Sequence, residues 1–381
     1  MQEIDTQESF DSWLRKPKPP KAAIQDLDLN NYGKEMLEKG FEGSIFLGCE
    51  LEPEIAAHIV KTGGVVIPDL GNYIFKTHRA KLYSPEELFA GFSLSGSYQD
   101  SLDYKVYENY IAAGKGNPKS IQISLARRLH DHSITDALHE EIEGRKVVAI
   151  MGGHNLERKE GNYLAIAKIA RKLTRDGYLI VSGGGPGAME AGHLGAYFAG
   201  KSMADLQKAM RILKPRPKGA PKGKEYLDAD WLHRAWRVKM EFPLSSEEKL
   251  KSLSIAIPTW LYGHEPPTVF APKIAKYFAN SVREDGLVSI AKHGIIFAPG
   301  SAGTVQEIFQ DNTQNYYGSL SHYSPMILFG REYWTEHYPV WQLLEKMSKG
   351  KRYAELLYLS DDEREIIDYI KAYRPEKHKT A

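Results

Sequence analysis

The sequence predicts an α/β protein whose core is a doubly wound parallel sheet. In the second half of the chain, apolar runs of strand length alternate with segments of helical periodicity, which is typical of parallel strands joined by helices. The run at 147–151 is apolar at every position, which indicates a strand that is buried on both faces. A chain of 381 residues, of which 42% are hydrophobic, is long enough for two or three domains.

The first 140 residues predict an N-terminal arm followed by a small α/β-helical lobe. Residues 1–30 are polar and carry a proline-rich stretch in their middle, so we expect an extended arm. Residues 44–67 contain two short apolar runs on either side of a helical stretch, a strand–helix–strand pattern. The pattern from 83 to 138 is helical.

The core is predicted to cover residues 141–335. It contains apolar runs of strand length at 147–151, 178–181, 253–257, 294–298 and 325–329. We expect a helix at 272–281, an insertion at about 201–250, and amphipathic helices in the C-terminal segment 336–381. With right-handed crossovers, this order predicts a Rossmann-like, doubly wound sheet with an N-terminal α/β extension and C-terminal helices.

Composition excludes several classes of protein. Lysine and arginine number 50 and aspartate and glutamate 49, which is not the strongly basic balance of a nucleic-acid binder. Cys49 is the single cysteine, so a disulfide scaffold and a cysteine-rich zinc site are excluded. No apolar run approaches 18 residues and the N-terminus has no signal-peptide pattern. We therefore expect a cytoplasmic protein without a membrane partner.

Glycine-rich segments follow three of the predicted strands, at the edge where doubly wound sheets bind ligands. These segments are Gly152-Gly153, Ser182 to Gly187, and Pro299 to Thr304. Glycine lets the backbone approach a ligand, and the following helix offers free N–H groups and a positive dipole end. The pattern predicts a site for a phosphorylated, nucleotide-type ligand. For Gly152-Gly153 a purely structural turn is an equal alternative.

Neither longer loop contains the dinucleotide motif G-x-G-x-x-G or the P-loop motif, which argues against a plain NAD enzyme or P-loop ATPase. Instead, residues 182–191 (SGGGPGAMEA) resemble the first signature of the Lonely Guy phosphoribohydrolase family, often labelled lysine decarboxylase-like. Residues 299–307 (PGSAGTVQE) are similar to the family's second signature, P-G-G-x-G-T-x-x-E. The resemblance covers residues 145–330, and the long N-terminal part is similar in layout to larger bacterial nucleotide 5′-monophosphate nucleosidases.

The resemblance implies an activity and the residues that carry it. Members of the family cut the N-glycosidic bond of a nucleoside 5′-monophosphate, releasing a free base and ribose 5-phosphate. The second loop, from Gly300 to Thr304, would hold the 5′-phosphate. Glu307 would face the ribose, stabilise an oxocarbenium-like transition state, bind the ribose hydroxyls or orient the water. Arg283 is the candidate phosphate or base contact.

The remaining ligand-site residues are assigned by their position in or beside the three glycine-rich segments. Together with the residues just named, the predicted site consists of Gly152, Gly153, Ser182, Gly184, Gly185, Gly187, Met189, Glu190, Pro299, Gly300, Ser301, Gly303 and Thr304, with Glu307 and Arg283 as catalytic residues. No metal ion or other cofactor is expected. The family resemblance also implies a homo-oligomer.

Three positions depart from the family pattern. Leu194, beside His193, stands where many members of the family carry an arginine. Ser301 replaces the second glycine of P-G-G, and Arg283-Glu284 stands where the family has an Arg-Lys pair. The principal hypothesis is a hydrolase of nucleoside 5′-monophosphates. The departures favour, as an alternative, a non-catalytic nucleotide sensor or cofactor carrier. A third hypothesis is a glycosyl hydrolase or transferase that acts on a modified or signalling nucleotide.

Other polar residues have two interpretations each. Glu307 fits either the catalytic acid or a solvated acid in the first turns of its helix. His154 fits a ligand contact or a surface turn. The cluster His130-Asp131-His132 suggests a metal site or, as we favour, a solvated helix face. Cys49 is expected to be a buried structural thiol. The basic stretch 214–224 is expected to be a solvated loop that can steer an anionic ligand.

Overall fold

The computed structural model describes residues 2–215, 219–320 and 322–375, and the chain divides into two compact units. The N-terminal unit comprises Met1–Leu82 and Asn109–Glu141, and the C-terminal unit comprises Tyr83–Glu108 and Ile142–Ala381. Residues 216–218 of the basic stretch and 376–381 of the predicted C-terminal segment lie outside the described residues. In the described part of the chain, no helix has the length and apolar character needed to cross a membrane.

The N-terminal unit contains a four-stranded parallel sheet in sequential order. Its strands are β1 (Gln2–Ile4), β2 (Ala22–Gln25), β3 (Ile45–Leu47) and β4 (Val65–Ile67), and its connecting helices are α1 (Gln7–Leu14), α2 (Gly33–Leu37) and α3 (Pro53–Lys61). The register aligns Ile4, Ile24, Phe46 and Val66 across the four strands. The predicted strand–helix–strand pattern is therefore confirmed as β3, α3 and β4.

The prediction of an extended arm over residues 1–30 is wrong. This segment contains β1, α1 and β2, and Phe10 and Trp13 of α1 are completely buried in the core of the N-terminal unit. Thr6 caps the helix by accepting a hydrogen bond from the Ser9 amide at 3.2 Å. Strands of three or four residues are too short to show a period, so pairing with their neighbours decides their structure.

The C-terminal unit contains a seven-stranded parallel sheet, and the predicted doubly wound α/β fold is confirmed. Its strands are β5 (Lys146–Met151), β6 (Tyr178–Ser182), β7 (Ser254–Ala256), β8 (Lys273–Ile274), β9 (Ile295–Phe297), β10 (Met326–Phe329) and β11 (Leu357–Ser360), in the spatial order β11-β10-β9-β5-β6-β7-β8. Its helices are α4 (Pro85–Leu88), α7 (Gly161–Arg175), α8 (Ala188–Tyr197), α9 (Met203–Leu213), α10 (Ala229–Glu241), α11 (Ser246–Lys251), α12 (Asn280–Ile290), α13 (Ala302–Tyr317), α14 (Trp341–Ser348) and α15 (Glu363–Ala372). Two further helices, α5 (Leu102–Ala112) and α6 (Ile121–Ile142), include points where the sequence passes from one unit to the other.

Two elements of this sheet differ from the sequence prediction. The prediction of a helix at 272–281 is wrong. The strand β8 lies there and pairs with β7 through Ile274 and Ala256, and the helix α12 begins only at Asn280. The edge strand β11 was not expected, and it extends the sheet by pairing Leu357 with Met326 of β10. Both are short edge elements whose structure depends on the neighbouring strand rather than on a local pattern.

The order of the strands creates a topological switch point between β5 and β9. From β5 the chain moves outward through β6, β7 and β8, and then returns to the other side of β5 for β9, β10 and β11. The last residues of the two central strands, Met151 and Phe297, are paired directly. In open α/β sheets, the crevice beyond this point is where ligands bind. The fold therefore brings the first and third glycine-rich segments together.

Candidate functional site

The three glycine-rich segments pack against one another at the carboxyl ends of β5, β6 and β9. The Gly153 amide donates to the Pro299 carbonyl at 3.0 Å, and the Ala188 amide donates to the Gly153 carbonyl at 3.1 Å. Gly187 has φ of 72°, and a Cβ there would lie 2.3 Å from the Gly153 oxygen. The backbones are so close that glycine is required at this position whether or not a ligand binds.

A cavity of about 430 Å³ opens beside these segments, and all its lining residues belong to the C-terminal unit. Among the predicted site residues, those that line it are Gly152, Gly153, Gly185, Met189, Arg283, Ser301, Gly303, Thr304 and Glu307. Those that do not are Ser182, Gly184, Gly187, Glu190, Pro299 and Gly300. Ser182 is buried, and its hydroxyl donates to the Ile150 carbonyl at 2.6 Å, so it links the end of β6 to β5.

The N-terminus of α13 forms one wall of the cavity. Its N-cap residue, Ser301, makes no side-chain capping bond, and Val305 is the first residue whose amide reaches back to the Ser301 carbonyl. A Cβ on Gly303 would meet nothing within 4 Å, whereas one on Gly300 would lie 2.1 Å from the Thr304 hydroxyl oxygen. Gly300 thus makes room for the Thr304 side chain. Free N–H groups and the helix dipole at this wall suit an anion.

Glu307 lies on the same helix and faces the same cavity. Its side chain is 13% exposed, which contradicts the alternative of a solvated surface acid. The Arg283 guanidinium on α12 donates to the Glu307 carboxylate at 3.3 Å and to the Asn280 side chain at 3.0 Å. Burial raises the pKa of Glu307 to about 7, against the opposing effect of Arg283 and with a further rise from nearby Glu284. Its carboxyl group therefore exchanges a proton near neutral pH.

Glu190 occupies the corresponding place after the second glycine-rich segment but does not reach the cavity. It is completely buried, and its two carboxylate oxygens accept from the Arg158 guanidinium at 2.5 and 2.8 Å. The Tyr163 hydroxyl donates to it at 2.7 Å, and the Arg158 guanidinium lies 4.1 Å from the centre of the Trp231 ring. Both carboxylate oxygens are hydrogen-bonded, so Glu190 is a structural partner of Arg158.

The opposite wall of the cavity contains residues that the sequence prediction missed. Lys276 is buried there, and its ammonium group lies 3.0 Å from the Asp103 carboxylate. Asp103 also accepts from the Tyr98 hydroxyl at 2.6 Å and from the Trp260 indole at 2.8 Å. Burial lowers the pKa of Lys276, and Asp103 opposes that shift. This lysine follows the two-residue strand β8, which leaves too weak a pattern to reveal a strand end.

The same wall carries a buried carboxyl group and a free hydroxyl. The Glu265 carboxylate lies 3.3 Å from the His154 ring, and burial raises the pKa of Glu265. His154 lines the cavity and its side chain is 39% exposed, so it has the position of a ligand contact and also lies at the surface. Thr259, just beyond β7, also lines it, and its buried hydroxyl has no hydrogen-bond partner among the described residues. Strand-end reasoning applied to β7 would have found Thr259.

Three other predicted features lie outside this cavity or at its rim. His130 and Asp131 are buried and lie 3.1 Å apart, so the solvated helix face is wrong for both residues. Within the described residues, no three metal-ligating side chains cluster in a way that could hold a metal ion. The prediction for Cys49 is confirmed, since its thiol is buried, forms no disulfide and has a pKa that burial raises to about 11. Of the basic stretch, Lys224 lines the cavity.

Comparison with known proteins leaves the family open. No family model matches the chain, and no curated protein matches it. Among solved structures, the chain is similar to the molybdenum cofactor binding protein from the phototrophic bacterium Rippkaea orientalis. The two share 13% sequence identity over 60% of this chain and 98% of that chain, with a TM-score of 0.37.

Proposed function

We propose that the C-terminal unit hydrolyses the N-glycosidic bond of a nucleoside 5′-monophosphate. The observation that carries this proposal is the arrangement of α13, which offers an uncapped N-terminus and the Glu307 carboxyl group to one cavity. The rise of 1.5 Å per residue separates Gly303 from Glu307 by about 6 Å along the helix axis. A phosphate held at the N-terminus would therefore present its ribose to Glu307.

The chemistry follows from the position and pKa of Glu307. As water attacks the anomeric carbon, the bond to the base breaks and the ribose gains oxocarbenium character, which the carboxylate stabilises. With a pKa of about 7, Glu307 also accepts a proton from the attacking water. That proton passes to the departing nitrogen of the base, so the products are the neutral base and ribose 5-phosphate.

Arg283 and the opposite wall complete the proposed site. Arg283 holds the Glu307 carboxylate at 3.3 Å and counteracts the effect of burial on its pKa. At the far wall, Lys276, Glu265 and Thr259 present an ammonium group, a carboxyl group and an unpartnered hydroxyl. Such a set of donors and acceptors suits the polar edge of a base.

The test is to incubate the protein with a panel of nucleoside 5′-monophosphates and to follow free base by chromatography. We expect at least one nucleotide to release its base, Glu307→Gln to lose that release, and Glu345→Gln, an exposed acid on α14, to retain it. Wild-type release by Glu307→Gln would remove Glu307 from the mechanism. If no nucleotide is cleaved while the panel still raises the melting temperature, the protein is a nucleotide-binding sensor or carrier.

A further inference from the structure

A second cavity, of about 740 Å³, lies at the amino ends of the strands of the seven-stranded sheet. It opens where the central strands begin, beside Lys146 of β5 and Tyr178 of β6. Its rim includes Arg175, the last residue of α7, and Lys251, the last residue of α11. Because the first cavity lies beyond the carboxyl ends of the strands, the two cavities are separated by the sheet itself.

The lining of this second cavity has positive charge and no carboxylate. Arg145, Lys146, Arg175 and Lys251 line it, and no aspartate or glutamate does so among the described residues. Lys251 pairs with Glu247 at 2.5 Å, but Lys146 and Arg175 form no ion pair within the described part of the chain. Asp176, the acid next to Arg175, is already paired with two lysines of α7 and α15, at 2.5 and 3.3 Å.

The same positive charge acts on a neighbouring histidine. His293 packs against the Tyr178 ring, with 5.9 Å between the ring centres. Burial and, to a smaller extent, the charges of Lys146, Lys292 and Arg374 together lower the pKa of His293 to about 4. The three cations lie on different elements, so the positive potential extends along this edge of the sheet.

Thr174 supplies a polar group that no other side chain or backbone atom satisfies. It lines the cavity from the last turn of α7, is 7% exposed, and its hydroxyl has no hydrogen-bond partner among the described residues. Buried hydroxyl groups in folded proteins almost always have a partner, because an unpaired one loses its hydration without compensation. A ligand oxygen in the cavity would restore that partner.

Helix dipoles account for only part of this arrangement. Arg175 and Lys251 each end a helix, and basic residues are favoured at that position. Lys146 begins a strand, where no helix dipole favours a positive charge. The unpartnered hydroxyl of Thr174 has no explanation in helix electrostatics either. These two features point to a ligand.

We propose that the second cavity binds a small polyanion that carries at least two phosphate groups. Lys146 and Arg175, which form no ion pair in the described part of the chain, supply one positive charge for each of two phosphate groups, and the Thr174 hydroxyl adds a neutral donor. Leu179 and Leu253, which also line the cavity, provide apolar surface for an organic part of such a ligand. This site is independent of the proposed hydrolase activity, because none of its residues contributes to the first cavity.

Calorimetric titration with inorganic pyrophosphate tests the proposal. The titration uses a Gly303→Asp background, which places a carboxylate in open space at the N-terminus of α13 and blocks phosphate there. We expect pyrophosphate to bind at least tenfold more tightly than inorganic phosphate. Lys146→Gln with Arg175→Gln should weaken pyrophosphate binding at least tenfold, and Thr174→Val should weaken it about threefold, since it removes the hydroxyl at constant volume.

The control is the pair Lys346→Gln and Lys349→Gln, which removes two positive charges at the end of α14. We expect it to leave the affinity for pyrophosphate within twofold of the Gly303→Asp background. The proposal is overturned if pyrophosphate does not bind in that background, if the Lys146/Arg175 pair leaves the affinity unchanged, or if the control pair lowers it equally. In the last case, only general electrostatic attraction is present.

Discussion

The two glycine-rich loops that lead into α8 and α13 are similar in sequence but differ in what they do. Each follows a buried strand, each opens a helix, and each helix carries a glutamate near its start. Glu190 on α8 is buried and hydrogen-bonded to Arg158 and Tyr163. Glu307 on α13 faces a cavity, and its pKa is raised to about 7. Glycine at a strand end can therefore serve the packing of a helix or the approach of a ligand.

The difference comes from how closely each helix is packed. A Cβ on Gly195 of α8 would lie 2.1 Å from the Ala167 carbonyl of α7, so the two helices are in backbone contact. All residues of α8 from Glu190 to Tyr197 are buried. On α13, Gly303 borders open space and Tyr317 is mostly exposed. Both junctions border the cavity, since Gly185 and Met189 also line it, but only the second one leaves its glutamate open to the cavity.

The largest expected effect is the loss of catalytic activity when Glu307, the glutamate that faces the cavity, is replaced. Glu307→Gln should lower kcat/KM for the cleaved nucleotide about 1000-fold, equivalent to about 4 kcal/mol in transition-state stabilisation, because it removes the charge that opposes the ribosyl cation. The measurement is initial-rate kinetics with each purified variant, with Glu345→Gln as the control. A loss of less than tenfold would place the catalytic carboxylate elsewhere.

The next effect concerns stability at the first junction. Glu190→Ala leaves the Arg158 guanidinium buried without its counter-ion, so the free energy of unfolding should fall by about 3–4 kcal/mol. Denaturant titration measures this change, and Glu241→Ala, at an exposed position on α10, is the matched control. If Glu190→Ala is as stable as the control, the ion pair does not hold the junction together.

A smaller effect is the dependence of stability on pH at Glu307. Its folded pKa, about 7, lies above the value of about 4.5 expected in the unfolded chain. The protonated form therefore contributes stability that is fully present below pH 4.5 and is lost as the pH rises through 7. Relative to Glu307→Gln, the wild type should lose up to about 3 kcal/mol between pH 4.5 and 8.

Denaturation at a series of pH values measures this difference. The subtraction between the two proteins removes the contribution of Asp311, whose pKa burial raises to about 8 and which is present in both. A difference that stays constant with pH would mean that Glu307 is ionised throughout. In that case kcat/KM should also lack the rise toward neutral pH that ionisation of Glu307 predicts.

The smallest expected effects are changes in the free energy of unfolding when one glycine of each junction is replaced by alanine. Gly187→Ala should cost about 2 kcal/mol in the free energy of unfolding, because φ is 72° and the Cβ would meet the Gly153 carbonyl. Gly303→Ala should raise it by up to about 1 kcal/mol, since the position is helical and open and alanine favours the helix. Equal costs at both positions would show that the two loops are packed equally tightly.

The sequence predicted most of the core because its strands are long enough to carry a pattern. The strands β5, β6 and β10 have four to six residues, lie between helical segments, and match the predicted runs to within one residue at each end. The strands β1, β2, β8 and β11 were missed, because two to four residues carry no period. Their pairing partners, distant in sequence, decided their conformation.

What the sequence determined by itself was the doubly wound α/β fold and the edge of the sheet where a ligand site would lie. Both follow from local information, namely apolar runs, helical periods and the glycines between them. Only the tertiary structure decided that Glu307 faces a cavity while Glu190 meets Arg158, and that Lys276 and Glu265 line the far wall. Those outcomes depend on contacts between residues far apart in the chain, because tertiary packing decides which side chain is buried and which one faces the cavity.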